Sequence, residues 1–175
     1  MEDITNITEY VTIDIETTGF SLENDNIIEL AVCKVKNKKI VDWFTSFINP
    51  NKPIHEAITE VTGITNDMLK DADTINIVLN KLVDFIGNLP IVVHNADYVM
   101  EFIKANTNIK LQNEVIDTLT LCKKKLPKLK NYTIKKILEF FGTSEVVLNR
   151  TIDYARFISK VFEAMKDFKI ENKGQ

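Results

Sequence analysis

Asp14 and Glu16 stand two residues apart in Tyr10-Val11-Thr12-Ile13-Asp14-Ile15-Glu16, a β-rich run whose alternation puts Val11, Ile13 and Ile15 on one face. Residues i and i+2 of a strand share a face, so the two carboxylates project together while Ile13 and Ile15 point to the core. Two anions side by side repel each other unless a cation sits between them. Oxygen ligands with open water positions suit Mg²⁺ or Mn²⁺, which makes the pair a candidate divalent-metal site. The same pattern also occurs as a plain solvated strand edge. Thr17-Thr18-Gly19 breaks the strand, and a glycine turn there would let a nucleotide approach the backbone closely.

The elements that must hold this pair follow from periodicity. Ile27 to Val35 reads as a second strand, Asn37-Lys38-Lys39 as a hairpin turn and Ile40 to Ile48 as a third strand, an antiparallel meander with Tyr10 to Glu16 first. Pro50 and Pro53 end it. Ile54 to Val61 is helical and stopped at Thr62-Gly63, and Asn66 or Asp67 is placed to cap the next turn. Thr74 opens a helix with Ile77, Val78, Leu82, Phe85 and Ile86 on one face. Ile91-Val92-Val93 is a buried strand ending in His94-Asn95, Ala96 to Lys104 is helical, and Val115-Ile116 is a short fifth strand. Helices then run over Thr118 to Lys125, Thr133 to Phe141 and Arg150 to Phe168. This is one mixed-sheet α/β domain over residues 1–168, with a polar tail at 169–175.

Composition narrows the classes. The chain has 175 residues, 45% hydrophobic, which suits a single globular domain and excludes a disordered or fibrous chain. Cys33 and Cys122 are too few and too far apart for a disulfide scaffold or zinc cage and read as small buried hydrophobes. Met1-Glu2-Asp3 opens no secretory signal, and no apolar run approaches the roughly 20 residues that span a bilayer. A cytoplasmic setting without membrane contact is expected. The net charge of −3 hides an asymmetry: residues 1–30 carry eight acids and no base, whereas 104–136 carry nine lysines against Glu114 and Asp117.

Val11-Thr12-Ile13-Asp14-Ile15-Glu16-Thr17-Thr18-Gly19-Phe20 resembles the first motif of the DEDDh (DnaQ-like) exonucleases, the family of polymerase proofreading subunits and domains that includes the epsilon subunit of bacterial DNA polymerase III. Ile27-Ile28-Glu29-Leu30-Ala31, Glu60 to Leu69, Val93-His94-Asn95-Ala96 and Ile116-Asp117-Thr118-Leu119 fit in order, so the likeness covers residues 8–166. It implies a ribonuclease H-like fold, a mixed five-stranded sheet flanked by helices. It implies two-metal hydrolysis at a nucleic-acid 3′ end, with four carboxylates holding Mg²⁺ or Mn²⁺ and a histidine as general base. Asp14 and Glu16 match the first two carboxylates. Thr17, Thr18, Gly19, His94 and Asn95 fall on the substrate side, and a polymerase or other protein is an expected partner.

Two motifs depart from the pattern. The family's His-Asn-Ala-x-Phe-Asp reads His94-Asn95-Ala96-Asp97-Tyr98-Val99, so a valine takes the third carboxylate position. Asp97 and Glu101 lie roughly 200° around a helix from Val99 and do not replace it without rotation. The family's His-x-Ala-x-x-Asp-Ala admits two registers here. One keeps Asp153 as carboxylate with Leu148 at the histidine; the other puts Asn149 at the histidine and Tyr154 at the aspartate, and apolar spacing favours it. Both lack the general base. His94 suits a strand-end hydrogen-bonding role and His55 an exposed one. An impaired or inactive centre acting as a nucleic-acid-binding or interaction module is expected. The alternatives are an active exonuclease using Asp14, Glu16 and Asp153 or Asp97, and a structural or inhibitory protein that binds no nucleic acid. Lys123-Lys124-Lys125, Lys128, Lys130, Lys135 and Lys136 are a phosphate or acidic-partner surface on one reading and a solvated face on the other. Tyr132, Phe140 and Phe141 follow core spacing.

Overall fold

The computed structural model describes residues 4–107, 109–143 and 146–168; the polar tail at 169–175 lies outside them. A 3₁₀ turn at Ile4–Asn6 precedes β1 (Glu9–Thr17), β2 (Ile27–Lys36) and β3 (Lys39–Phe47). Helices α1 (Glu56–Thr62), α2 (Asn66–Leu69) and α3 (Ile75–Ile86) follow, then β4 (Ile91–Val93), α4 (Ala96–Ala105) and β5 (Val115–Asp117). Three helices close the described chain: α5 (Thr118–Lys125), α6 (Ile134–Phe140) and α7 (Thr151–Asp167).

The sheet order is β3-β2-β1-β4-β5. The first three strands form the antiparallel meander, and β4 and β5 add in parallel, so the expected mixed five-stranded sheet is present. The β2–β3 turn is tighter than expected: Asn37 and Lys38 both take positive φ, 50° and 65°, as a two-residue hairpin requires, and Lys39 already pairs with Lys36.

Alternation along β1 splits the interior into two cores. Val11, Ile13 and Ile15 pack with Val78, Leu82, Phe102 and their neighbours under α3 and α4. Tyr10 belongs to the opposite core, with Leu121, Ile137, Ile158 and Phe162 of α5, α6 and α7. Within α3 the buried face runs Val78, Leu79, Leu82 and Ile86, whereas Ile77 is exposed and Phe85 only half-buried, so the core stripe is displaced from the expected one. At α2 the cap is Thr65, whose hydroxyl accepts from the Met68 N–H. The Asn66 amide instead bridges the backbone N–H and carbonyl of Ile54, and it is not the cap. Both cysteines are buried and unpaired, and burial pushes their thiols up, to about 11 for Cys33 and about 12 for Cys122. Among the described residues no helix is long and apolar enough to cross a membrane.

Candidate active site

The face that β1 shares with Tyr10 also carries Thr12, Asp14 and Glu16, and α7 lies across it. Tyr10 packs edge-on against Phe162 at 4.8 Å and donates its hydroxyl to Glu163. The Thr12 hydroxyl donates to the Ala155 carbonyl at 2.7 Å. One residue before Ala155, Tyr154 lines the cavity, about 450 Å³ in volume, that opens beside Asp14. The strand and helix thus run as a zipper from Tyr10 to the carboxylates, which fixes what α7 presents there.

That residue is Tyr154. Burial, followed by the nearby charges of Glu16 and Asp14, holds its phenol above the ordinary range, so it is neutral at physiological pH. Asp153 plays a different part. Its carboxylate accepts from the backbone N–H groups of Asn149 and Arg150 at 3.2 Å, holding the start of α7, and it lines a separate cavity with Arg156 and Lys160. Of the two candidates on α7, Tyr154 lines the cavity with Asp14, and Asp153 does not. Asn149 is exposed. Val99, 1% exposed, is sealed into the core with Ile13, Ile15 and Phe102. Asp97 and Glu101 are exposed, and Glu101 is paired with Lys104 at 3.2 Å.

Asp14 is held well above the usual carboxylate range, first by burial and then by the charges of Glu16 and Glu29, against a favourable bond from the Ile15 N–H. Glu16 is also raised, by burial and by Glu29, with Arg150 opposing. Glu29 is a site residue that sequence reasoning misses. It sits directly opposite Glu16 in the β1–β2 register, so the two carboxylates share a face as a like-charge cross-strand pair. It is 3% exposed and pairs with the Arg150 guanidinium at 2.6 Å; the Thr151 hydroxyl donates to its other oxygen. Arg150 in turn stacks over Phe47 at 4.9 Å. The signal that could have found Glu29 is an acid inside a run of nine buried or nearly buried β2 positions.

The loop after β1 is closed on itself. Thr17 donates to the Gly19 carbonyl at 2.6 Å and therefore accepts from the Tyr98 hydroxyl at 2.7 Å. Thr18 donates to Asp25 at 2.8 Å, and the Ser21 N–H donates to the same carboxylate at 2.9 Å. A Cβ at position 19 would meet the Asp25 carboxylate at 2.4–2.9 Å, so a larger residue there would have to push Asp25 off its bonds to Thr18 and Ser21. The Asp25 carboxyl that fills the Cβ side of Gly19 is held below its usual range chiefly by the Ser21 bond. Phe20, 89% exposed and 6.2 Å from the Tyr98 ring, offers a face on which a base can stack.

His94 and Asn95 border the same cavity. His94 Nε2 faces the Tyr132 carbonyl at 2.8 Å, an acceptor only, so Nε2 carries the proton; Nδ1 lies 2.9 Å from the Thr118 hydroxyl, whose single proton is shared between Nδ1 and the Val93 carbonyl, also at 2.9 Å. Burial, the larger effect, and Lys123 hold its protonation below the ordinary range against the Tyr132 bond and Asp117. With both nitrogens engaged, His94 has no free lone pair for a water. Asn95 caps α4 in the left-handed region (φ 76°), and its N–H donates to Asp117 at 2.9 Å.

The donor set does not fit a two-ion centre. Asp14 and Glu16 supply oxygens, Val99 supplies no lone pair, and Tyr154 supplies a neutral phenol, a poor ligand for a hard dication. Among the described residues no three His, Cys, Asp or Glu side chains come together in a group able to hold a metal ion.

A meander extended by two parallel strands, with carboxylates at the end of its first strand and a helix laid over them, defines a nuclease fold of the ribonuclease H-like type. The nuclease domain of 3′hExo, a DEDDh family member bound to rAMP, superimposes with a TM-score of 0.77 at 20% identity, covering 97% of this chain and 98% of that one. Exonuclease X in complex with 5′ overhanging duplex DNA gives 0.72 at 22%, covering 93% and 95%. Residues 11–148 match the Exonuclease family, and the chain belongs to it. Among its relatives is the PolC-type DNA polymerase III of Caldanaerobacter subterraneus subsp. tengcongensis, 41% identical over 160 residues, 90% of this chain and 11% of that protein. The PolC-type polymerase of Bacillus subtilis is 42% identical over 148 residues, 82% of this chain and 10% of its own length. The chain thus spans about a tenth of these relatives.

Proposed function

We propose that this domain binds the 3′ end of a nucleic-acid strand in a DNA polymerase III context without hydrolysing it. The observation that carries the reading is Tyr154, a neutral phenol on the α7 position that faces Asp14, where the family motif has a carboxylate. Asn149 at the general-base position and buried Val99 at the third carboxylate position point the same way. Removing a single charge-stabilising group from a nuclease or protease site costs about 10²–10³ in rate, and groups that act as a unit fail together. Binding is supported by what remains: a cavity of about 450 Å³ bordered by Asp14, Asn95 and Tyr154, with the exposed Phe20 ring beside Tyr98 as a stacking surface. The relatives' name, DNA polymerase III PolC-type, supports the polymerase context.

The test uses 5′-labelled single-stranded DNA and RNA with Mg²⁺ or Mn²⁺, following binding by anisotropy and length on a denaturing gel. Saturable binding with no shortening is expected. Stepwise shortening from the 3′ end that disappears in Asp14→Ala would sink the non-hydrolytic reading, and no binding to either strand would favour a structural or inhibitory protein instead.

A further inference from the structure

The segment joining α5 to α6 has a property that neither helix packing nor composition requires. Its last three residues, Asn131 to Thr133, wall the cavity beside Asp14 together with Ile134, the first residue of α6. Lys130 precedes them and Lys135 follows, both exposed. A third lysine, Lys123, is exposed on α5 one turn after Thr118–Leu119, where Leu119 lines the same cavity and Thr118 meets His94 at 2.9 Å; its charge adds to burial in holding down that ring's protonation.

The remaining lysines give the contrast. Lys70, Lys81 and Lys104 are spent on Asp67, Asp73 and Glu101 at 2.6–3.2 Å. Within the lysine-rich stretch itself, Lys136 pairs with Glu139 at 2.8 Å, and Lys125 donates to the Met165 and Phe168 carbonyls at the end of α7. Lys123, Lys130 and Lys135 make no ion pair within 4 Å among the described residues, and the charge of Lys135 reaches Glu139 only behind that of its direct partner Lys136. The backbone carrying two of them is nevertheless fixed. The Tyr132 hydroxyl donates to the Leu126 carbonyl at 2.8 Å, its own carbonyl accepts from His94, and Thr133 caps α6. Unpaired cations on an ordered backbone at the edge of an acid-bearing cavity form a preorganised site for a chain of anions.

We infer that Lys123, Lys130 and Lys135 form a phosphate clamp: they hold the backbone of a single nucleic-acid strand whose 3′ end lies in the Asp14 cavity. The clamp rests on the reading that the cavity takes a nucleic-acid end, and it adds which surface supplies the affinity. It also answers an electrostatic difficulty of that reading, because Asp14 and Glu16 repel the phosphates that the three ammonium groups attract.

Counterion release provides the readout. Each neutralised phosphate of a single strand contributes about −0.7 to the slope of log K against log salt. Titration of a fluorescent oligothymidylate between about 50 and 200 mM salt is compared for wild type, for Lys123→Gln/Lys130→Gln/Lys135→Gln, and for Lys70→Gln/Lys81→Gln/Lys104→Gln, which removes the same formal charge from paired lysines. The clamp variant is expected to bind about 10- to 100-fold more weakly at the lowest salt and to lose about 2 from the slope, with the control near wild type. An unchanged slope in the clamp variant overturns the clamp while leaving cavity binding intact. An equal loss in the control overturns it in favour of bulk charge. A wild-type protein that binds no strand removes both readings.

Discussion

Asp14 carries a cost that the rest of the molecule does not relieve. Its carboxyl is held above the usual range by burial and by Glu16 and Glu29, so the folded chain keeps a proton that the unfolded chain has released. Across the window from the ordinary value up to the raised one, the native state binds more protons, and stability falls as pH rises. At neutral pH this difference in proton binding therefore weakens the fold, as expected of a residue retained for a site. Asp14→Asn keeps the shape and removes the charge. It should raise Tm at pH 7 by about 2–4 °C, equivalent to about 1 kcal/mol, measured by thermal denaturation. The gain should vanish below about pH 4, where both states of the wild type are protonated. A constant gain across pH would mean that packing, and not charge, sets the effect. This pair was legible in the sequence because period two on a strand fixes a shared face from spacing alone. Glu29 was not, because its opposition to Glu16 depends on cross-strand register.

Helix α7 acts as a strap over the sheet, and its attachment is asymmetric. At its far end Tyr10 meets Phe162 and Glu163; at its start Arg150 and Thr151 close on Glu29 of β2. The Glu29 side chain is 4% exposed and that of Arg150 is 35%, so the acid depends on its partner far more than the base does. Arg150→Met should strand a buried carboxylate and cost about 3 kcal/mol. Glu29→Gln/Arg150→Met should recover most of that loss, because no charge is then left unpaired. Urea denaturation of the two variants measures this; a double variant as unstable as the single would assign the loss to Arg150 stacking on Phe47. The extent of α7 was readable from the spacing of Ala155, Ile158, Phe162 and Met165, all buried. The use of Asp153 was harder to see: an acid three residues into a helix suits a cap and a ligand equally, and only its N–H partners decide.

At the scale of the molecule, the fold and the proposed loss of hydrolysis rest on different residues. The mixed five-stranded sheet and its helices belong to the Exonuclease fold and were legible because alternation and helical spacing respond to burial, whereas the strand order, the division into two cores and the lie of α7 over β1 depend on tertiary contacts. The catalytic set depends on a few side chains converging from β1, α4 and α7, and in this chain α4 and α7 contribute Val99 and Tyr154. If the fold still positions the family's donors, Val99→Asp/Asn149→His/Tyr154→Asp should rebuild a metal centre on an unchanged backbone. Position 99 is buried, so its new carboxylate should destabilise the metal-free variant by a few kcal/mol. A cation bound by the native state alone should return that stability, raising Tm with Mn²⁺ concentration far more in the variant than in the wild type. Shortening of a labelled strand from its 3′ end should appear only in the triple variant, since ligands and base act as a unit and single replacements leave the set incomplete. Equal Mn²⁺ stabilisation of wild type and variant would mean that Asp14 and Glu16 already suffice to hold the ion, and the proposed lack of hydrolysis would then rest on the histidine position at Asn149 alone.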